Sequence, residues 1–264
     1  FPTVGHLAAA AEADVLRVWE GLGYYRRARQ LHLAAKQIAS EHAGEFPRDP
    51  EAVRSLPGIG RYTAGAVLSI AFDQREPILE ANTIRLLSRL IAFRGNPHDA
   101  AGQKALWQVA AEILPKRSPG EFNQALMELG SQICTPRDPA CDACPLESFC
   151  PTRAAGLQAV IPMPKAKPKI EAVRHAAIVV RRGGRVLLVE RQEGERWSGL
   201  WDFPRLTLGD EQGAAVRRFV AANLRDEFGV EASLGEFVTT LRHTVTRFRI
   251  TLECYEAEFI GEQS

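Results

Sequence analysis

The hydrophobic period of this chain changes near residue 155, and that change limits its architecture before any motif is considered. Up to residue 150, apolar residues recur every three or four positions. In "YYRRARQLHLAAKQIASEHAG", Ala28, Leu31, Ala35 and Ile38 mark one helix face, and "NTIRLLSRLIAF" repeats the pattern with Ile84, Leu87 and Ile91. Segments 62–72, 100–114 and 119–132 read the same way. After residue 172 the period is two. "AAIVVRRGGRVLLVERQ" predicts two strands around a Gly-Gly turn. "RFRITLECYEAEF" sets Phe248, Ile250, Leu252 and Cys254 against Arg249, Thr251 and Glu253, with Cys254 expected as a core thiol. A helical stretch at 211–228 lies between these strands. "GLQAVIPMPKAKPKIEA", between the two regimes, has three prolines, three lysines and no period, as a linker does. The expectation is a multidomain chain: an all-α domain over 1–154, a linker over 155–172 and an α/β domain over 173–264.

A length of 264 residues suffices for two cores, and 45% hydrophobic with 25% charged residues is ordinary for a soluble globular protein. No apolar run approaches the roughly 20 residues that cross a bilayer. A net charge of +1 gives no global attraction to a polyanion, so any nucleic-acid binding must be local. The first residue is Phe1 rather than Met, which reads as a fragment or a processed form.

Four of the five cysteines fall within "CTPRDPACDACPLESFC", residues 134–150, separated by six, two and five residues. Dense cysteines form disulfides in short secreted chains, but this chain is long, helical and otherwise cysteine-poor. The count suits a zinc site, a four-thiolate iron–sulfur cluster or unmetallated thiols. Pro136, Pro139 and Pro145 stiffen a segment too short for its own core.

Upstream, "LPGIGRYTAG" places Pro57, Gly58 and Gly60 in a tight turn between helical segments. Glycine lets a ligand approach the backbone, and the following helix offers unpaired amides, which together suit a phosphate. The same string also suits a plain helix–helix turn. Eighteen residues beyond Tyr62, "PILEANTIR" puts Glu80 at the opening of the next helix, where a carboxylate is favoured by the helix dipole.

The spacing C-x6-C-x2-C-x5-C resembles the 4Fe-4S loop that closes the catalytic domain of endonuclease III and the adenine DNA glycosylases. "LPGIGRYTAGAV" resembles the helix-hairpin-helix of the same superfamily. The resemblance implies that Cys134, Cys141, Cys144 and Cys150 ligate the cluster. It implies that Pro57, Gly58, Ile59, Gly60, Arg61 and Thr63 form a hairpin that grips a DNA phosphate and a monovalent cation. Where the superfamily has a catalytic Asp, this chain has Glu80, one methylene longer. Where bifunctional relatives carry a lysine nucleophile, it has Tyr62, which cannot form a Schiff base. Tyr62 is expected to position the sugar or the intermediate, and Asn82 to hydrogen-bond nearby.

"GLGYYRRARQLH" is similar to the adenine DNA glycosylases, in which Tyr24 corresponds to the aromatic wedge beside the oxidised guanine. The second domain resembles that family's Nudix-related module. "GDEQGAAVRRFVAANLRDEFGVE" ends like a Nudix box at Glu227, Gly229 and Val230, but most of the box's charged positions are Leu, Ala and Asn, which implies binding without metal-dependent hydrolysis. "RHTVTRF" corresponds to the loop that touches 8-oxoguanine. Val245, Thr246 and Arg247 stand there in place of Phe-Ser-His, leaving Thr246 and His243 as contacts.

The implied function is base-excision repair: monofunctional hydrolysis of adenine mispaired with 8-oxoguanine or guanine in double-stranded DNA. The implied protein is a cytoplasmic, nucleoid-associated monomer of a bacterium with no membrane partner. The alternatives are a bifunctional endonuclease III-like glycosylase/lyase and a non-catalytic mispair-binding protein. The family's general acid is a Glu on an early helix that precedes residue 1, so this stretch alone is expected to be weak or inactive. Arg137 and Arg153 are expected to meet phosphates beside the cysteine loop.

Overall fold

A computed structural model describes residues 1–166, 169–195 and 197–262, with residue 262 described by its backbone alone. It divides into two compact units that part at Ala166. Residues 167 and 168, within the expected linker, lie outside the described residues.

The first unit is helical: α1 (Val4–Ala9), α2 (Glu12–Val18), α3 (Arg26–Glu41), α4 (Pro50–Ser55), α5 (Arg61–Phe72), α6 (Ala81–Leu90), α7 (Ala100–Ile113) and α8 (Pro119–Glu128). The starts follow local chemistry. Asp49 accepts from Ala52 N at 2.9 Å with Pro50 in the first helical position, and Asp99 accepts from Gly102 N at 2.7 Å. Small apolar clusters join the helices. Leu56 packs with Ala34 and Ile38, Val53 with Ala64 and Leu68, and Leu79 and Leu87 with Leu106 and Ala110. Each such buried leucine is worth about 1.5–3 kcal/mol relative to exposure.

Two helix faces differ from expectation. On α3 the buried residues are Ala28, His32, Ala34, Ala35 and Ile38, whereas Leu31 is half exposed. Both α1 and α2 lie on α3, and the stripe they cover is wider than one apolar row and offset from it. On α6, Ile91 falls just past the helix end and is exposed, whereas Arg85 and Arg89 are buried.

After α8 the chain makes one wide π-helical turn, Leu129–Ile133, then two short 3₁₀ turns within the cysteine loop, then α9 (Pro151–Ala154). The segment after α9 was expected as linker, but its first part is folded onto the helical unit. Ile161 is buried, its N–H donates to Leu157 O, and its carbonyl accepts from Arg89 Nε at 2.9 Å.

The second unit is a mixed sheet in the order β2–β1–β7–β6, with β5 also on β1. Its strands are β1 (Glu171–Arg182), β2 (Arg185–Val186), β5 (Arg205–Leu208), β6 (Val230–Val245) and β7 (Phe248–Glu262); β3 (Val189–Glu190) pairs separately with β4 (Trp201–Asp202). The Gly-Gly turn pairs Arg182 with Arg185, as its sequence predicts. Helix α10 (Ala214–Phe228) sets Val216, Val220 and Leu224 against Ile178, Val180, Tyr255 and Ala257. On β7, Ile250 and Leu252 are buried on one face and Tyr255 and Ala257 on the other, with Cys254 only partly buried. Strict alternation over this strand therefore placed its faces correctly but not the whole core. Among the described residues, no helix is long and apolar enough to cross a membrane.

Candidate active site and cysteine loop

The hairpin is α4, a turn at Leu56–Gly60, and α5. Leu56 anchors it in the core, and Ile59 N donates back to Leu56 O at 3.1 Å. Gly58 has φ +78, and a Cβ there would lie 2.6 Å from Gln30 Cβ on α3, so both backbone and space demand glycine. Gly60 is the N-cap of α5 and has no side chain with which to cap it. The first amides of α5 are thus left for water or an anion. Gly58, Gly60 and Arg61 are exposed, whereas Pro57, Ile59 and Thr63 are half-buried. The Arg61 guanidinium stacks 3.8 Å from the centre of the Trp107 ring on α7.

Glu80 is the N-cap of α6. Its Oε1 accepts from Asn82 N and Thr83 N, both at 2.9 Å, while its own N–H donates to Thr83 Oγ1 at 2.7 Å. This reciprocal capping box fixes the carboxylate at the positive end of the helix. Tyr62, from the first turn of α5, is the neighbour that matters. Burial pushes its phenol up, and the Glu80 charge pushes it further, so it remains a neutral hydroxyl beside an anion. That hydroxyl donates to Met127 Sδ at 3.5 Å. Tyr62 thus lies within electrostatic reach of Glu80, and Glu80 is joined to Asn82 through the helix cap.

Asn82 continues into a chain of contacts that sequence reading missed. Its Oδ1 accepts from Arg85 Nη2 at 2.9 Å. Arg85, buried within the unit, also donates from Nε to Cys134 O at 2.7 Å and from Nη2 to Gly130 O. Gly130 belongs to the π-helical turn and sits so close that a Cβ there would be 2.9 Å from Asn82 Cβ. One turn on, Arg89 donates to the carbonyls of Ile161, Thr135 and Gln158 and to Cys134 Sγ at 3.3 Å. Its own carbonyl accepts from Thr152 Oγ1 at 2.6 Å. Two arginines one turn apart in "IRLLSRL", beside a loop with many carbonyls and little regular structure, were the available signal.

The four loop cysteines are free thiols that line one small, partly open pocket, of ≈ 30 Å³, with Leu86 and Arg89. Burial pushes the Cys144 thiol up, and the other three cysteines add to the shift, so the four sulfurs are electrostatic neighbours. Gln158 Nε2 donates to Cys141 Sγ at 3.6 Å. Among the described residues, no three His, Cys, Asp or Glu side chains converge as on one metal ion.

The remaining expected contacts are spread out. Tyr24 is 76% exposed with φ +48, which excludes a core role. Arg137 is exposed, but Arg153 is engaged by Asp142 at 2.7 Å and Glu147 at 3.3 Å, which offsets the charge meant for a phosphate. In the second unit Thr246 sits at the β6–β7 hairpin tip with φ +53, its hydroxyl donating to Val245 O. His243 is exposed, with its ring 6.5 Å from that of Trp197.

Residues 1–112 match the family model of the HhH-GPD superfamily of base excision DNA repair proteins. Residues 134–150 match the iron-sulfur binding domain of endonuclease III, and residues 175–264 the NUDIX domain. An adenine DNA glycosylase of Arabidopsis thaliana is 37% identical over 277 residues, an alignment that covers 94% of this chain and 43% of the relative. The chain belongs to the adenine DNA glycosylase family. The Homo sapiens adenine DNA glycosylase is 30% identical, with 99% of this chain and 56% of the relative covered. The chain thus spans about half the length of the curated adenine DNA glycosylases it matches. The solved structure of a thermostable thymine-DNA glycosylase has a TM-score of 0.54 and 26% identity, covering 59% of this chain and 71% of that one. Within the adenine DNA glycosylase family, the all-α unit is the helix-hairpin-helix domain, the cysteine loop is its iron–sulfur-binding region and the α/β unit is Nudix-like.

Proposed function

We propose that this protein hydrolyses the N-glycosidic bond of adenine mispaired with 8-oxoguanine or guanine in double-stranded DNA. The observation that carries the reading is the Glu80 carboxylate, held at the start of α6 beside the neutral Tyr62 hydroxyl. Breaking the bond to C1′ develops an oxocarbenium-like cation. A carboxylate about 4 Å from that cation gains about 4 kcal/mol at an effective dielectric near 20, or nearly a thousandfold in rate. Only one oxygen of Glu80 is engaged by the helix amides, so Oε2 is left for the sugar. Tyr62 orients the sugar or the attacking water. A phenol in place of an amine makes the reaction monofunctional and stands against a lyase.

Tyr24 wedges into the base stack, the hairpin amides with Arg61 and Thr63 hold a phosphate, and turn carbonyls hold a monovalent cation. His243 and Thr246 meet 8-oxoguanine. The Nudix-like unit binds without hydrolysing, since most of the charged positions of its box are Leu, Ala and Asn and leave few carboxylates to hold a divalent metal. The cysteine pocket holds a 4Fe-4S cluster. Four thiols around a cavity, rather than around one point, suit a multi-iron group better than zinc, and the Arg89 and Gln158 donors supply hydrogen bonds to its sulfurs. Bound there, the cluster cross-links the loop. The protein works as a cytoplasmic monomer at the nucleoid.

The test is excision from an A:8-oxoguanine duplex. The parent, extended to include the family's early-helix Glu, is expected to release free adenine, leave the strand intact and form no borohydride-trapped complex; residues 1–264 alone are expected to excise weakly or not at all. Glu80→Gln keeps a carbonyl oxygen for the helix cap while removing the charge, and is expected to lose about a thousandfold in rate. Parental rates in Glu80→Gln would overturn the assignment, and a parent that binds the mispair without excision would favour the mispair-sensor reading.

A further inference from the structure

The first turn of α5 and the outer face of α7 enclose an open groove of ≈ 510 Å³, lined chiefly by Arg61, Gln103, Lys104, Trp107 and Gln108. It adjoins the glycine hairpin through Arg61. The Arg61 guanidinium carbon lies over the Trp107 ring, 3.8 Å from the ring centre. Stacking uses the face of the guanidinium and leaves its in-plane N–H donors uncommitted, with less side-chain entropy to lose when a ligand arrives. Lys104 stands one turn before Trp107 on the same helix. Among the described residues, neither Arg61 nor Lys104 has a recorded ion pair or side-chain hydrogen bond. Several other arginines of this unit are engaged, Arg29 by Glu12, Arg54 by Glu51, Arg75 by Ala111 and Leu114 carbonyls, and Arg85 and Arg89 by the cysteine loop, while Arg27 and Arg48 lie over aromatic rings as Arg61 does; what sets Arg61 apart is a second cation, Lys104, in the same groove. The nearby anionic Glu112 accepts from Gln108 Nε2 at 2.8 Å, and Gln103 Nε2 donates to Pro97 O at 2.6 Å. Two cations without an ion pair thus share one concave surface, and one of them rests on an aromatic ring.

We propose that this groove binds a second backbone phosphate of duplex DNA, beside the one held at the hairpin. The proposal rests on the DNA-repair reading above and extends its footprint to a helix that reading does not use. Arg61 bridges the hairpin phosphate and this second one through donors on different edges of its guanidinium, Lys104 adds a point charge, and Trp107 is a positioning residue that acts through Arg61. Phosphate contacts set register and carry no base information, so the groove strengthens binding without altering mispair preference.

The experiment measures affinity of the full chain for an A:8-oxoguanine duplex and a matched A:T duplex across a salt series. Removing one phosphate contact lowers the log–log salt slope by about 0.9. Lys104→Ala is expected to do this on both duplexes by the same factor, with an unchanged melting temperature. Trp107→Leu is expected to weaken binding in the parent but to add nothing in an Arg61→Ala background, which a purely structural role would not produce. If the parent binds duplex and Lys104→Ala keeps the parental slope, the groove is outside the footprint and this proposal alone falls. If Lys104→Ala changes the preference between duplexes, the phosphate assignment is wrong. A parent that ignores duplex at low salt would overturn the DNA-repair reading itself.

Discussion

Arg85 is the residue through which the candidate active site is tied to the cysteine loop, and replacing it with Gln is the most informative single perturbation. In the folded chain its guanidinium serves three acceptors: Cys134 O, Gly130 O and Asn82 Oδ1. Glutamine is too short to reach all three. Two buried carbonyls then lose their donor at about 1–3 kcal/mol each, and Asn82 loses a charge-assisted bond. Against this, burial already disfavours the charged guanidinium, as the lowering of its pKa shows, so removing the charge recovers part of the loss. The net expectation is about 3–5 kcal/mol. For a unit of this size each kcal/mol moves the midpoint by about 2–4 °C, so the helical unit should melt on the order of 10 °C lower. Thermal unfolding followed at 222 nm measures this. Arg85→Lys, with one point donor, should fall between the two. The double-mutant cycle with Asn82→Ala should show coupling of about 1 kcal/mol, because the two side chains share a bond. A melting point for Arg85→Gln within 2 °C of the parent, or zero coupling to Asn82, would refute the claim that this side chain joins the two regions.

Two further outcomes test other parts of the structure. Gly58→Ala should lose about 2–4 kcal/mol of stability, since it combines positive φ with a contact at 2.6 Å, whereas Gly60→Ala, with no heavy atom within 4 Å, should melt normally yet bind duplex more weakly; a Gly60→Ala protein with parental affinity would show that no ligand approaches that backbone. In the Nudix-like unit, burial and the hydrogen bond to Glu253 Oε2 at 2.9 Å push the Tyr255 phenol up to about 12; because the folded value lies above the ordinary 10, its contribution to stability is whole below pH 10 and is lost as pH rises towards 12. A tyrosinate absorbance titration should lose its last component in Tyr255→Phe, and ionisation of Tyr255 near pH 10 in the folded protein would contradict the burial described.

Periodicity made the element type of both units legible, three- and four-residue steps for α3 and α6 and alternation for β7, although the faces these elements bury are wider than or offset from the apolar rows. The turn glycines and cysteine spacing were legible for a related reason, since backbone conformation and thiol chemistry restrict which residue types serve at a position. Arg85 and Arg89 were not legible. A charged side chain reads as solvent-exposed until a loop rich in unpaired carbonyls is folded over it, and those carbonyls come from residues 130, 134, 135, 158 and 161. The same gap explains the mistaken linker start, because nothing local in "GLQAVIP" shows that Ile161 will be buried.

The change from helical to strand period, the place of the hairpin, the carboxylate at position 80 and the four thiols were all set by the sequence alone, because each depends on neighbours within a few residues. The Glu80 cap is local too, reaching only two and three residues ahead, but that Tyr62 comes within electrostatic reach of it and that two buried arginines bind the cysteine loop to that helix was decided only by the tertiary structure. Those contacts join residues up to 72 positions apart, and no local pattern records which distant carbonyl a guanidinium will find.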